Sequence, residues 1–182
     1  MLEMEIVGEE GLDETTNTFT YGYRTVVHLE HSLLSLSEWE SKYEKPFLNK
    51  EKFETEEFRD YIRFMCVDPE GFPEEAFEHM GSAEHEKITE YIGKKSTATF
   101  FKEVERKVHG KPAKEIITSE LIYYWMVGFQ IPFTAETWNL NRLLTLIRVC
   151  EEKSNKESKK VNKRDALRRR RELNNRRLSG KP

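Results

Sequence analysis

His28 and His31 form an H-x-x-H. On a helix this spacing would put two imidazoles on one side, where zinc accepts them. Here His28 sits in the β-branched run Arg24 to Leu29, RTVVHL, and on a strand positions i and i+3 face opposite ways. No cysteine, aspartate or third histidine stands nearby at a ligating spacing, so the pair reads as two partly exposed histidines, with no metal and no cofactor expected. Cys66 and Cys150 are the only cysteines and both fall in apolar helical patterns, which predicts two buried, reduced thiols rather than a disulfide framework. The nine glycines never form a GxGxxG or GxxxxGK[ST] pattern, and no GxSxG elbow, HExxH or Cys-His signature occurs. The carboxylates are too many and too dispersed to nominate an acid/base pair. No catalytic residue is nominated, and no enzyme is expected.

Charge and aromatic residues remain as carriers of function. Residues 151–182 hold 13 Lys/Arg against 5 Asp/Glu, a net of +8. The whole chain has 30 against 33, so residues 1–150 hold 17 against 28, a net of −11. An acidic body with a basic tail can bind nucleic acid, an acidic protein surface, or the body of a second copy. The tail, DALRRRRELNNRRL, has no interleaved aromatics, which argues against a base-stacking platform. Tyr123, Tyr124 and Trp125 are consecutive, so one helix carries aromatics over a wide arc and at least one must face outward. Trp125 and Trp138 are expected in the core, with Tyr123 or Tyr124 at a contact. The expected partner-binding residues are Tyr123, Tyr124, Arg168, Arg169, Arg170, Arg171, Arg176 and Arg177.

These residues need elements to position them. Thr118 to Cys150 is the densest apolar stretch. Leu121, Ile122, Trp125, Met126 and Phe129 recur at helical steps, as do Leu140, Leu143, Leu144, Ile147 and Cys150. Pro132 ends the first helix near Gln130, and Thr134 suits an N-cap for the second, as Thr118 does for the first. Upstream, Ser37 and Glu40 form a capping-box pattern for a short helix Glu38 to Tyr43. Thr55 opens a helix that puts Phe58, Ile62, Met65 and Cys66 on one face. Glu74 to Met80 is a short helix, and Ser82 caps another that presents Ile88, Tyr91 and Ile92 and ends at Gly93. RTVVHL reads as a strand, with Thr97 to Phe101 and Glu115 to Ile117 as antiparallel partners and Lys102 to Lys111 as a loop.

The predicted fold is mainly α with a minor antiparallel sheet, an α+β class. A flexible acidic arm (1–18) precedes a single globular helical domain (19–150) whose core is the central helix pair, and a basic, weakly ordered or helical tail (151–182) follows. Hydrophobic content of 37% beside 35% charged describes a soluble chain with one modest core. The acidic N-terminal residues are wrong for a signal peptide, and the longest apolar run near Leu121 falls short of the roughly 20 residues a membrane span needs. No membrane association is expected.

Three blocks carry a family likeness: SLLSLSEWESKYEKPF, IITSELIYYWMVGFQIPF and WNLNRLLTLIRVC. Together with the tail they resemble the tail assembly chaperones encoded in the tail-morphogenesis regions of tailed bacteriophages. The third block is the most specific, because its polar positions match as well as its leucines. The charged insert Lys102 to Lys111 and the acidic N-terminal residues depart from the pattern. The resemblance implies a non-catalytic protein of the host cytoplasm. It would coat the long helical tape-measure protein until tail-tube subunits replace it, and self-association is expected. Two alternatives stay open: a structural component of the virion (tail, neck or baseplate), and a nucleic-acid-binding accessory protein acting through the Arg-rich tail.

Overall fold

The structure, a computed structural model, describes residues 1–13, 18–50, 52–101, 116–178 and 180. Four strands come first: β1 (Leu2–Val7), β2 (Glu10–Asp13), β3 (Thr18–Tyr21) and β4 (Arg24–Leu29). Six helices follow: α1 (Leu33–Tyr43), α2 (Thr55–Met65), α3 (Ala76–His79), α4 (Ser82–Gly93), α5 (Ser119–Gly128) and α6 (Leu140–Leu178). Short 3-10 turns lie at Phe47–Asn49 and Phe133–Thr137. The chain is therefore mainly helical with a minor antiparallel sheet, an α+β fold. It divides into two compact units, Met1–Leu144 and Thr145–Pro182. No helix among the described residues is long and apolar enough to cross a membrane.

The first 13 residues are not a flexible arm. β1 pairs antiparallel with β4, Leu2 opposite Leu29 and Val7 opposite Arg24. The acidic residues of LEMEIV alternate with apolar ones, so Met4 and Ile6 turn inward with Val27 and Leu29 while Glu5 meets Arg24 outside. β2 and β3 keep the same register, Glu10 opposite Tyr21. Gly8 N donates to Tyr23 O at 2.8 Å and Gly22 N to Glu9 O at 3.1 Å, carrying the hairpin across the interruption. At Gly8 a β-carbon would lie 2.9 Å from Tyr23 Cβ, so only glycine fits there. The other edge of β4 is met by the end of α2, where Glu30 N donates to Met65 O and Val67 N to His28 O. Thr97–Phe101 forms no strand, and neither do Ile116 and Ile117. β1 holds the place beside RTVVHL that they were expected to fill. Glu115 and the expected loop Lys102–Lys111 lie outside the described residues.

α1 starts earlier than its Ser37 signal. Ser32 is the N-cap; its Oγ accepts from Ser35 N, and Ser35 Oγ accepts from Ser32 N. Glu40 is consequently mid-helix and only 8% exposed. Its Oε1 accepts from Phe47 N at 2.9 Å and its Oε2 from Ser119 N at 2.7 Å. One carboxylate thus satisfies the first amides of a 3-10 turn and of α5, which lie 72 residues apart between Phe47 and Ser119. Thr118 occupies the N-cap of α5 without making a side-chain cap of its own. Glu40→Gln keeps one acceptor and turns an NH2 toward one of these amides. It should cost about 1–2 kcal/mol in a urea titration, whereas an exposed change such as Glu38→Gln should cost almost nothing.

Glu54, not Thr55, is the N-cap of α2, with the Glu57 carboxylate accepting from Glu54 N at 3.1 Å. Lys50, together with that amide, holds the Glu57 carboxyl down at about 2. The N-cap of α4 is likewise one residue before the expected Ser82, at Gly81, whose N–H donates to Glu84 Oε2 at 2.9 Å.

The core is shared between the central helix pair and α1 with α2. Trp39, Tyr61, Leu33, Leu36, Ile62 and Met65 from α1 and α2 are fully buried, with Leu29 from β4. α5 contributes Ile122 and Met126, and the start of α6 contributes Leu140 and Leu143. Trp125 and Leu144 are half-buried, and Trp138 is 42% exposed. The cause is a change of phase. Residues 133–137 form a 3-10 turn, so Thr134 caps nothing. α6 opens at Leu140, where Asn139 Oδ1 accepts from Arg142 N and Leu140 N donates to His31 O at 2.7 Å.

Candidate protein-binding surface

α5 and the turn after it carry the exposed aromatics Tyr124 and Phe133. The α5 sequence SELIYYWMVG is apolar nearly all round, so a face remains after Ile122 and Met126 have gone inward. Tyr124 is 71% and Val127 61% exposed, one turn apart. Gln130 closes the helix with φ 57°, and Pro132 directs the chain back so that Phe133, 56% exposed, stands 6.1 Å from the Tyr123 ring. Tyr123 is half-buried and donates from its hydroxyl to Glu136 Oε2 at 2.9 Å. Burial, then that bond and the field of Glu38 on α1, push the Tyr123 hydroxyl well above its ordinary range, so it stays a neutral donor. Leu34, one turn before Glu38 on α1, is also exposed. The result is an apolar surface with Glu38, Glu120 and Glu136 around it. Of the two tyrosines expected at a contact, Tyr124 is the free one, and Tyr123 is held beneath. Trp138 lies under the Arg142 guanidinium, 5.6 Å from its ring centre.

The arginines stand on the second unit. Arg168, Arg169, Arg170, Arg171 and Arg177 are exposed on α6, as are Leu167 and Leu173. Arg168 Nε donates to Glu172 Oε1 at 3.2 Å. Arg176 belongs to the helix, but its side chain lies outside the described residues. Residues 151–161, read as a solvated helix end or linker, are helix as well. No proline or glycine occurs from Asn139 until Gly180, and Glu152 stands four residues before Lys156.

The histidines do not converge. His28 Nδ1 lies 2.8 Å from Asp68 Oδ1, and its backbone N donates to Asp68 Oδ2 at 2.8 Å. His31 is instead buried, with Nδ1 2.5 Å from the Tyr61 hydroxyl. Among the described residues no three metal-capable side chains gather. Cys66 donates to Asp68 Oδ2 at 3.6 Å, and burial pushes its thiol up, with the carboxylate charge adding to the shift. A thiol in that setting is a poor nucleophile. Both cysteines are half-buried rather than buried. A separate concavity of about 460 Å³ lies between α2 and α4, lined by Phe47, Phe53, Phe58, His85 and Ile92 among others.

What the sequence missed in the first unit is Val127 and the acidic rim, and Phe133, one of its aromatics, was not among the expected contact residues. Phe133 had a signal: a phenylalanine directly after a helix-ending Pro132 has no helical face to join. Compared with family models, with curated proteins and with solved structures, the chain matches none.

Proposed function

We propose that this chain is a non-catalytic assembly protein of a tailed bacteriophage, a tail assembly chaperone that binds the tape-measure protein in the host cytoplasm. The observation that supports it is the surface of Tyr124, Val127 and Phe133, exposed, apolar and rimmed by carboxylates. A transient sheath for a long amphipathic rod needs apolar contact of this kind, released when a better partner arrives. The likeness of the α5 and α6 sequences to such chaperones points the same way.

The test is co-expression with the tape-measure protein of the same phage. The wild-type chain should keep it soluble and co-purify with it, and Tyr124→Ser with Phe133→Ser should lose at least about tenfold of the capture, since aromatic anchors dominate such contacts. Capture unaffected by both changes would remove this surface from the reading. Mass spectrometry of purified virions separates the structural alternative: the chain should be missing from finished particles, and stoichiometric presence would make it a virion component. The exposed arginines of α6 favour a second reading, nucleic-acid binding. Its signature would be duplex affinity that falls steeply with salt.

A further inference from the structure

The second unit presents a helix that is polar nearly all round and exposed on every described side chain from Lys163 to Asn175. A helix with no buried face is marginal alone, and a partner that covers it adds to its stability. Its exposed side chains include the arginines and the leucines Leu167 and Leu173, beside Asp165 and Glu172. The first unit presents the opposite chemistry, an apolar surface of Tyr124, Val127 and Phe133 with Glu38, Glu120 and Glu136 around it. Residues 151–182 carry +8 and residues 1–150 carry −11, and the two attract.

We infer that the occupant of the α5 surface in the free protein is the basic end of α6 from a second copy. Leu167 and Leu173 meet Tyr124, Val127 and Phe133, and the arginines face the three glutamates and stack on the exposed rings. The contact is heterologous: each copy offers one surface and one helix, so copies add in sequence rather than closing as a two-fold pair. The inference rests on the reading of this surface as a protein-binding one and adds its regulation. The apolar surface is stored under a second copy, and a client gains access by displacing the basic helix.

The test needs the full chain alone, in sedimentation velocity across a concentration series at low and high salt. Wild type should form a concentration-dependent series of oligomers that dissolves as salt rises. Two variants remove one surface each: Glu38→Lys with Tyr124→Ser, and Arg169→Glu with Arg170→Glu and Arg171→Glu. Each alone should be a monomer, its association weakened about tenfold or more. Mixed in equal amounts they should form a heterodimer and nothing larger, because the intact helix of the first fits the intact surface of the second. All the changes are at exposed positions, and circular dichroism checks the fold; should the double change at the surface unfold the chain, Tyr124→Ser alone takes its place. Wild type monomeric at every concentration overturns the inference. So does oligomerisation that persists in either variant, a mixture that stays monomeric, or a chain that remains monomeric while binding duplex DNA through the arginines. Failure here leaves tape-measure capture untouched, and failure of capture leaves the oligomer series untouched, so the two readings fall separately.

Discussion

Trp39→Ala is expected to lower the unfolding free energy by about 3–5 kcal/mol, the largest effect of any single side chain in the first unit. The ring is fully buried and packs against Tyr43, Phe47 and Phe53 at centroid distances of 4.8, 5.1 and 5.6 Å. Truncation leaves a cavity bounded by these three aromatic side chains. It also removes the Nε1 donor to the Glu57 carbonyl, 2.9 Å away. Trp39→Phe should fall between, since it keeps much of the contact and loses the donor. Trp138→Ala is the control. That ring is 42% exposed, and its loss should cost no more than about 1 kcal/mol. Chemical denaturation of the three variants decides the matter. If Trp138→Ala proved the costly change and Trp39→Ala the mild one, the core would lie at the α5–α6 junction after all.

The three tryptophans show which kind of information a sequence carries. Helix periodicity was legible: α2, α4 and α5 fall where their apolar spacing put them, and Pro132 ends α5 within two residues of the expected place. Phase was not legible. Thr134 and Asn139 are both acceptable caps, and only the 3-10 turn between them decides that α6 begins at Leu140 and that Trp138 stays outside. Long-range partners were hidden for the same reason. Glu40 looked like part of a local capping box with Ser37, yet its carboxylate serves Phe47 and Ser119, and nothing within a window of a few residues could reveal a bond 79 residues away. β1 was obscured by composition. Its glutamates suggested disorder, although their alternation with Met4 and Ile6 was the strand signal. In the candidate surface Tyr124 was legible as an aromatic without room inside, whereas Phe133 and the glutamate rim came together only through the turn at Gln130.

Acid should unfold the first unit earlier than its carboxylates alone would, and His31 is the reason. The side chain is 2% exposed, with Nδ1 2.5 Å from the Tyr61 hydroxyl, which Ser35 Oγ approaches at 3.5 Å. Burial pulls the imidazole down to about 4, against a smaller upward pull from Glu30. In the unfolded chain it would titrate near 6.5. The folded value is the lower one, so the unfolded state binds the extra proton. The stabilising contribution is therefore complete above about pH 6.5 and is lost as the pH falls toward 4. A difference of about 2.5 units corresponds to about 3 kcal/mol once both states are protonated, with about 2 kcal/mol already gone at pH 5. His31→Gln keeps a polar partner for Tyr61 and cannot titrate. It should be less stable than wild type at pH 7.5 but should lose less stability between pH 6.5 and pH 4.5, so the two curves of unfolding free energy against pH converge on the acid side. Parallel curves would show that His31 takes up a proton in the folded state over the same pH range as in the unfolded one. The imidazole would then need water or a carboxylate beside it, and the Tyr61 contact could not be its principal partner.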